Sequence, residues 1–200
     1  AKIEILADRF IAKAPNGLRG AEIELRYPSV GATENTILAA VLAKGRTIIR
    51  GAAEEVEVDE LISLLNRMGA IVNRSSKREI TIEGVTSLHG AAHRIMPDRN
   101  EEVTFAIAAA VTGGDITVIG SQRQHLSAFL TVFTAVGGVY EIIDEIRTRY
   151  SRSASLRAVD VVTKPHPGFM TDWQAPWAVL MTQSEGTAII HETIFENRFD

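Results

Sequence analysis

The 200-residue sequence contains no cysteine. Disulfides, thiolate metal sites and thiol nucleophiles are thereby excluded from this stretch of chain. Concentrated basic charge is also lacking: 21 Lys and Arg stand against 25 Asp and Glu, the formal net charge is −4, and the basic residues are scattered. A nucleic-acid partner, which needs a concentrated basic face, is not expected. No apolar run approaches the ~20 residues of a membrane span, and the first residues show no charged leader followed by an apolar stretch, so no membrane association is expected. His89, His93, His125, His166 and His191 show no metal-ligand spacing with acids and are read as non-ligands, so no metal is expected; no cofactor is expected either. What remains, at 46% hydrophobic and 23% charged, is the composition of a soluble, cytoplasmic globular chain of one domain or two small ones.

Periodicity is more informative. "TENTILAAVLAKGRTIIRG" (33–51), "VTFAIAAAVTGGDITVIG" (103–120) and "WAVLMTQSEGTAIIHETIF" (177–195) each read as an apolar helix, a glycine and a short β-branched strand. Gly45, Gly114 and Gly186 are 69 and 72 residues apart, and glycine suits the left-handed position after a helix. Val58, Leu61, Ile62, Leu65 and Met68 then form a helical stripe, repeated by Leu126, Phe129, Leu130, Phe133 and Val136. The first of these helices opens on acids and closes on Arg67 and Gly69, the charge order that the helix dipole favours. Alternating segments follow both and read as paired strands. The unit predicted is βαβαββ, with copies over about 21–85 and 93–150 and a third from about 158. Repeated two-helix units of this length imply an α/β (α+β) fold, not a solenoid or propeller.

Four segments could carry chemistry. In "PHPGFMTDWQAPW" (165–177), Asp172 is the single acid, among Phe169, Met170 and Trp173. Thr171 and Gln174 have capping-box spacing, so Asp172 could simply complement a helix N-terminus. Apolar crowding could instead desolvate it toward a pKa useful in proton transfer. In "RYPSVGATEN" (26–35), Ser29, Gly31 and Thr33 stand at a helix start, where free backbone amides can bind a phosphate or Ser29 or Thr33 can act as N-cap. "MPDRNEEVTF" (96–105) offers Asp98 and Arg99 as a cap, a salt-bridged hinge or a ligand contact. "ETIFENRF" (192–199) places Glu192, Glu196, Asn197 and Arg198 near a strand end, as ligand-facing groups or a surface charge cluster.

In this order and spacing, "PSVGATEN", "DRNEEVTF", "PGFMTDWQ" and "TIFENRF" closely resemble the enolpyruvyl transferases of the UDP-N-acetylglucosamine 1-carboxyvinyltransferase family, from "ADRF" through "RFD". The resemblance implies parts of two inside-out α/β-barrel globules, each built from three copies of such a unit, with the active site in the cleft between them. Residues 1–95 would be the last part of the first globule and 96–200 an incomplete beginning of the second. The implied substrates are UDP-N-acetylglucosamine and phosphoenolpyruvate, and the implied reaction is the first committed step of peptidoglycan synthesis.

Carried over by motif, Asp172 would meet the sugar 3-hydroxyl and take part in proton transfer. Tyr27, Pro28, Ser29 and Val30 would hold the uridine nucleotide, with Gly31 permitting close approach. Ile194 would contact the UDP-sugar and Arg198 an anion. The chain departs from the family pattern at Asn100, Glu102 and Val103, at Met170, and at Tyr27, where some relatives carry a basic residue. The family's mobile loop with its general acid, and a Lys–Asn pair, map upstream of residue 1; a further phosphoenolpyruvate-binding arginine maps downstream of Asp200. The chain alone is therefore expected to be inactive, and incomplete barrel edges would favour self-association. Two alternatives share these features: a 5-enolpyruvylshikimate-3-phosphate synthase-like enzyme, and a truncated, non-catalytic sugar-nucleotide-binding relative.

Overall fold

A computed structural model describes residues 2–195, 197 and 198. Contacts divide the chain into two compact units at the Ile95–Met96 junction.

The first unit begins with an antiparallel hairpin, β1 (Lys2–Ile5) and β2 (Phe10–Lys13). The predicted unit follows in full: β3 (Glu22–Glu24), α1 (Val30–Ala40), β4 (Arg46–Arg50), α2 (Val56–Arg67), β5 (Ile71–Ser76) and β6 (Glu79–Glu83). The sheet order is β3-β4-β6-β5, with β3 parallel to β4 and the other pairs antiparallel. Strand alternation puts Ile49, Val72, Ile80 and Ile82 into the core, where the α2 stripe delivers Val58, Ile62 and Leu65. Glu57 and Asp59 in the first turn of α2 and Arg67 in the last match the dipole order.

The second unit contains α3 (Arg99–Thr112), β7 (Ile116–Ile119), α4 (Ser127–Val136), β8 (Gly138–Ile142), β9 (Arg147–Arg152), β10 (Val161–Val162), α5 (Gln174–Met181) and β11 (Ile190–His191). β7, β9 and β8 form an antiparallel sheet in that order, and β10 pairs parallel with β11. All five residues of the second stripe, Leu126 at the N-cap of α4 and the four within it, are buried in one cluster with Tyr150, Phe169, Trp173 and Trp177. Each large side chain so buried contributes roughly 1.5–3 kcal/mol of hydrophobic stabilisation.

Two details differ from the sequence reading. Within the second unit no strand precedes α3 among the described residues, so its β7-β9-β8 sheet has three strands where the β3-β4-β6-β5 sheet of the first unit has four. Pro97 supplies no N–H for a ladder, and His93 is drawn to α2 instead, its ring nitrogen 2.8 Å from Glu60 Oε1. The left-handed residue ending α3 is Gly113, at φ 65°, rather than Gly114; Gly45 and Gly186 do take positive φ. Among the described residues no helix is long and apolar enough to cross a membrane.

Candidate functional site

In the first unit, the chain leaves β3 and turns at Tyr27 and Pro28 into α1, with Ser29 N–H donating to Tyr27 O at 2.7 Å. Ser29 is the N-cap: its backbone is extended, at φ −78° and ψ 125°, and its hydroxyl accepts from Ala32 N at 3.2 Å. Thr33 is buried, and its hydroxyl donates to Ser29 O at 2.8 Å and accepts from Ala53 N at 3.0 Å. Thr33 therefore ties α1 to the loop after β4 and is not a cap. The amides of Val30 and Gly31, in the first turn, have no partner within the helix. Gly31 is exposed, and a Cβ there would meet nothing within 4 Å. Pro28, Ser29 and Val30 are half-buried, while Tyr27 is 45% exposed. One turn on, burial and the nearby carboxylates of Glu57 and Glu55 raise the pKa of Glu34.

In the second unit, Asp172 lies in a 3-10 turn, Thr171–Trp173, that leads into α5. The capping box expected of Thr171 and Gln174 does not form: α5 has no side-chain cap, and Gln174 is buried. Apolar crowding of Asp172 does not form either. Phe169, Met170 and Trp173 turn into the core, where Phe169 meets Trp173 edge-on with ring centroids 5.5 Å apart. The Asp172 side chain turns outward and is 52% exposed, with Arg198 Nη2 donating to its Oδ1 at 3.3 Å. Within the turn Thr171 is half-buried, Asp172 exposed and Trp173 buried, so the exposed position falls to the acid. On its inner side, Trp173 Nε1 donates to Asn100 Oδ1 at 2.8 Å.

Glu192, just past β11, organises the neighbourhood. Its Oε1 accepts from Ile194 N at 2.7 Å, Phe195 N at 3.2 Å and Thr163 Oγ1 at 2.9 Å. Its Oε2 accepts from Thr171 Oγ1 at 2.8 Å. Burial would raise its pKa, but these donors, Ile194 N–H foremost, outweigh that and lower it. Thr171 Oγ1 in turn accepts from Arg198 Nη1 at 2.7 Å. Beside this network lies an open hollow of about 610 Å³ lined by Ile194, Phe195, Asn197 and Arg198. Glu196 lies outside the described residues.

The structure thus brings Asp172, Ile194 and Arg198 into one network, while the Tyr27–Gly31 segment stands on the other unit. Asp98 caps α3, accepting from Asn100 N at 2.7 Å. Arg99 is fully buried, its Nη1 meeting His166 Nδ1 at 3.0 Å and His125 O at 3.3 Å. Glu102 is also buried and accepts from the hydroxyls of Ser121 and Tyr150, each at 2.6 Å. Sequence reasoning missed Glu192 as an organiser, because a strand-end acid followed by a Thr–Ile pair gives no sign of its donors. Among the described residues no group of three or more His, Asp or Glu could hold a metal.

The sequence profile of the EPSP synthase (3-phosphoshikimate 1-carboxyvinyltransferase) family matches residues 1–200. The UDP-N-acetylglucosamine 1-carboxyvinyltransferase of Gluconacetobacter diazotrophicus is 47% identical over 189 residues, covering 94% of this chain and 44% of its own length. The protein of the same description from Chlamydia trachomatis is 44% identical over 198 residues, 99% of this chain and 45% of its own. The chain spans a little under half the length of these relatives. The crystal structure of the enolpyruvyl transferase NikO from Streptomyces tendae superposes with a TM-score of 0.85 at 22% identity, covering 99% of this chain and 50% of that one. At that identity the likeness establishes the fold: mixed α/β, of the enolpyruvyl transferase type.

Proposed function

The chain belongs to the EPSP synthase (3-phosphoshikimate 1-carboxyvinyltransferase) family, and from that premise we propose that it is part of an enolpyruvyl transferase acting on UDP-N-acetylglucosamine. The observation that carries the choice of acceptor is the 44–47% identity, across almost the whole chain, to proteins described as transferases of that sugar nucleotide. In this reading, residues 1–95 end one globule of the complete enzyme and residues 96–200 begin the other.

The chemistry assigned to the chain's own groups follows from their placement. Asp172 is half-exposed, and Arg198 contacts one of its carboxylate oxygens, which leaves acceptor capacity for a substrate hydroxyl. Asp172 takes the proton as the sugar 3-oxygen bonds to C2 of phosphoenolpyruvate. Protonation at C3 completes the addition, and loss of phosphate with a C3 proton restores the double bond. The general acid for C3 comes from another part of the complete enzyme. Arg198 supplies a fixed positive charge beside the acid, suited to an anionic substrate group. The amides of Val30 and Gly31 at the positive end of α1 suit a nucleotide phosphate, and Tyr27 offers a ring to stack on the base.

The product of this reaction feeds peptidoglycan synthesis, which places the enzyme in the cytoplasm and in cell-wall growth and division. Exposed Phe105 on α3 and Ile119 on β7 support association with further protein, either the rest of the enzyme or a second copy. Side-by-side titration of the chain with UDP-N-acetylglucosamine and with shikimate 3-phosphate tests the acceptor. Saturable binding of the sugar nucleotide alone is expected; preference for shikimate 3-phosphate would move the chain to the sister activity.

A further inference from the structure

We propose that Glu192 is a positioning residue for the Asp172–Arg198 pair, acting through the hydroxyl of Thr171. The proposal deepens the site described above and rests on that reading for its link to substrate.

The geometry fixes the direction of each hydrogen bond. A carboxylate can only accept, so the Thr171 hydroxyl must point its single proton at Glu192 Oε2, 2.8 Å away. Its lone pairs then face the other way, toward Arg198 Nη1 at 2.7 Å. A guanidinium can only donate, so the chain runs one way, from Arg198 through Thr171 to Glu192. With Nη1 held there, the planar fork carries Nη2 to Asp172 Oδ1 at 3.3 Å. The opposite oxygen of Glu192 holds the backbone of Ile194 and Phe195 and the hydroxyl of Thr163 on β10's outgoing strand end. One carboxylate therefore sets both the turn carrying the acid and the segment leading to the arginine. Surface ion pairs between long side chains are individually weak, and Asp172 with Arg198 is such a pair. What distinguishes it is that one partner is steered by a half-buried acid with four donors.

Glu192→Gln keeps the shape but breaks the direction. The Gln carbonyl can still accept from Ile194 N–H, but its amide then presents N–H to Thr171, whose hydroxyl proton loses its acceptor and is no longer held away from Arg198. Thr171→Val deletes the relay, and Thr171→Ser restores it.

The test uses the 200-residue chain, with nitrogen NMR of the Arg198 guanidinium, assigned by Arg198→Lys, and calorimetric titration with UDP-N-acetylglucosamine on the same samples. Wild type and Thr171→Ser are expected to show resolved Nη resonances, from hindered rotation. Glu192→Gln and Thr171→Val are expected to show an averaged signal and about tenfold weaker binding, the effect of losing about 1.4 kcal/mol. Thermal melts check folding, and should Glu192→Gln not fold, the Val and Ser variants decide alone. Resolved Arg198 signals in Thr171→Val, or an averaged signal in wild type, overturn the proposal. Wild type with no affinity for the nucleotide, but with Arg198 order lost in the variants, upholds the positioning and sinks the sugar-nucleotide reading.

Discussion

The indole N–H of Trp173 donates to the side-chain oxygen of Asn100 across 2.8 Å, pinning the turn that carries Asp172 to the first turn of α3. Trp173 is 1% exposed, so water cannot replace this partner. Asn100→Leu should leave the donor unsatisfied and cost about 1–3 kcal/mol in urea unfolding. Asn100→Asp, which keeps an acceptor, should cost less. Equal losses in the two variants would show that the indole does not depend on this bond.

The buried hydroxyl of Tyr150 makes a second prediction. Burial, then its hydrogen bond to Glu102, raises its pKa well above 10.0. A folded-state pKa raised above the unfolded one gives stability that is complete below the unfolded value and is lost as pH rises beyond it. Melting temperature should therefore fall more steeply above pH 10 in wild type than in Tyr150→Phe. At neutral pH the variant should be less stable by about 1.5–3 kcal/mol, the range for a bond to a charged group. Parallel alkaline profiles would contradict this.

Glu192 has the opposite sign. Its pKa is lowered because the donors around it outweigh burial. Its contribution is complete above the unfolded value, near 4.5, and is lost as pH falls through the lower folded value. Acid melts of wild type and Glu192→Gln should converge over that interval, the variant starting lower. A constant gap down to the acid limit would show that the carboxylate charge contributes nothing.

The sequence was most legible where spacing alone decides structure. At and just before α4, Leu126, Phe129, Leu130, Phe133 and Val136 follow helical spacing and all are buried. Ser29 and Asp98 could be read as caps because capping is a contact of two or three residues. Contacts distant in sequence were not legible. Glu192 meets donors 21 and 29 positions away, and Glu102 meets Tyr150 across 48. Asn100 stands out as a departure from the family pattern, yet its partner is 73 positions on. Thr171 shows how a local rule loses to such a contact: its spacing to Gln174 promises a capping box, and the hydroxyl goes to Glu192. Asp172 sits among apolar residues in sequence and beside an arginine in space, because its neighbours' side chains enter the core while its own does not.

The central claim is that this chain carries the sugar-nucleotide contacts of an enolpyruvyl transferase, with Asp172 facing the sugar. Calorimetric titration of UDP-N-acetylglucosamine into wild type, Ser29→Ala and Asp172→Ala, each shown to be folded by its melt, tests it most directly. The account predicts saturable binding by wild type, weakened about three- to tenfold by each substitution, on the scale of one lost hydrogen bond. No heat of binding from folded wild type, or binding that neither substitution changes, would contradict it.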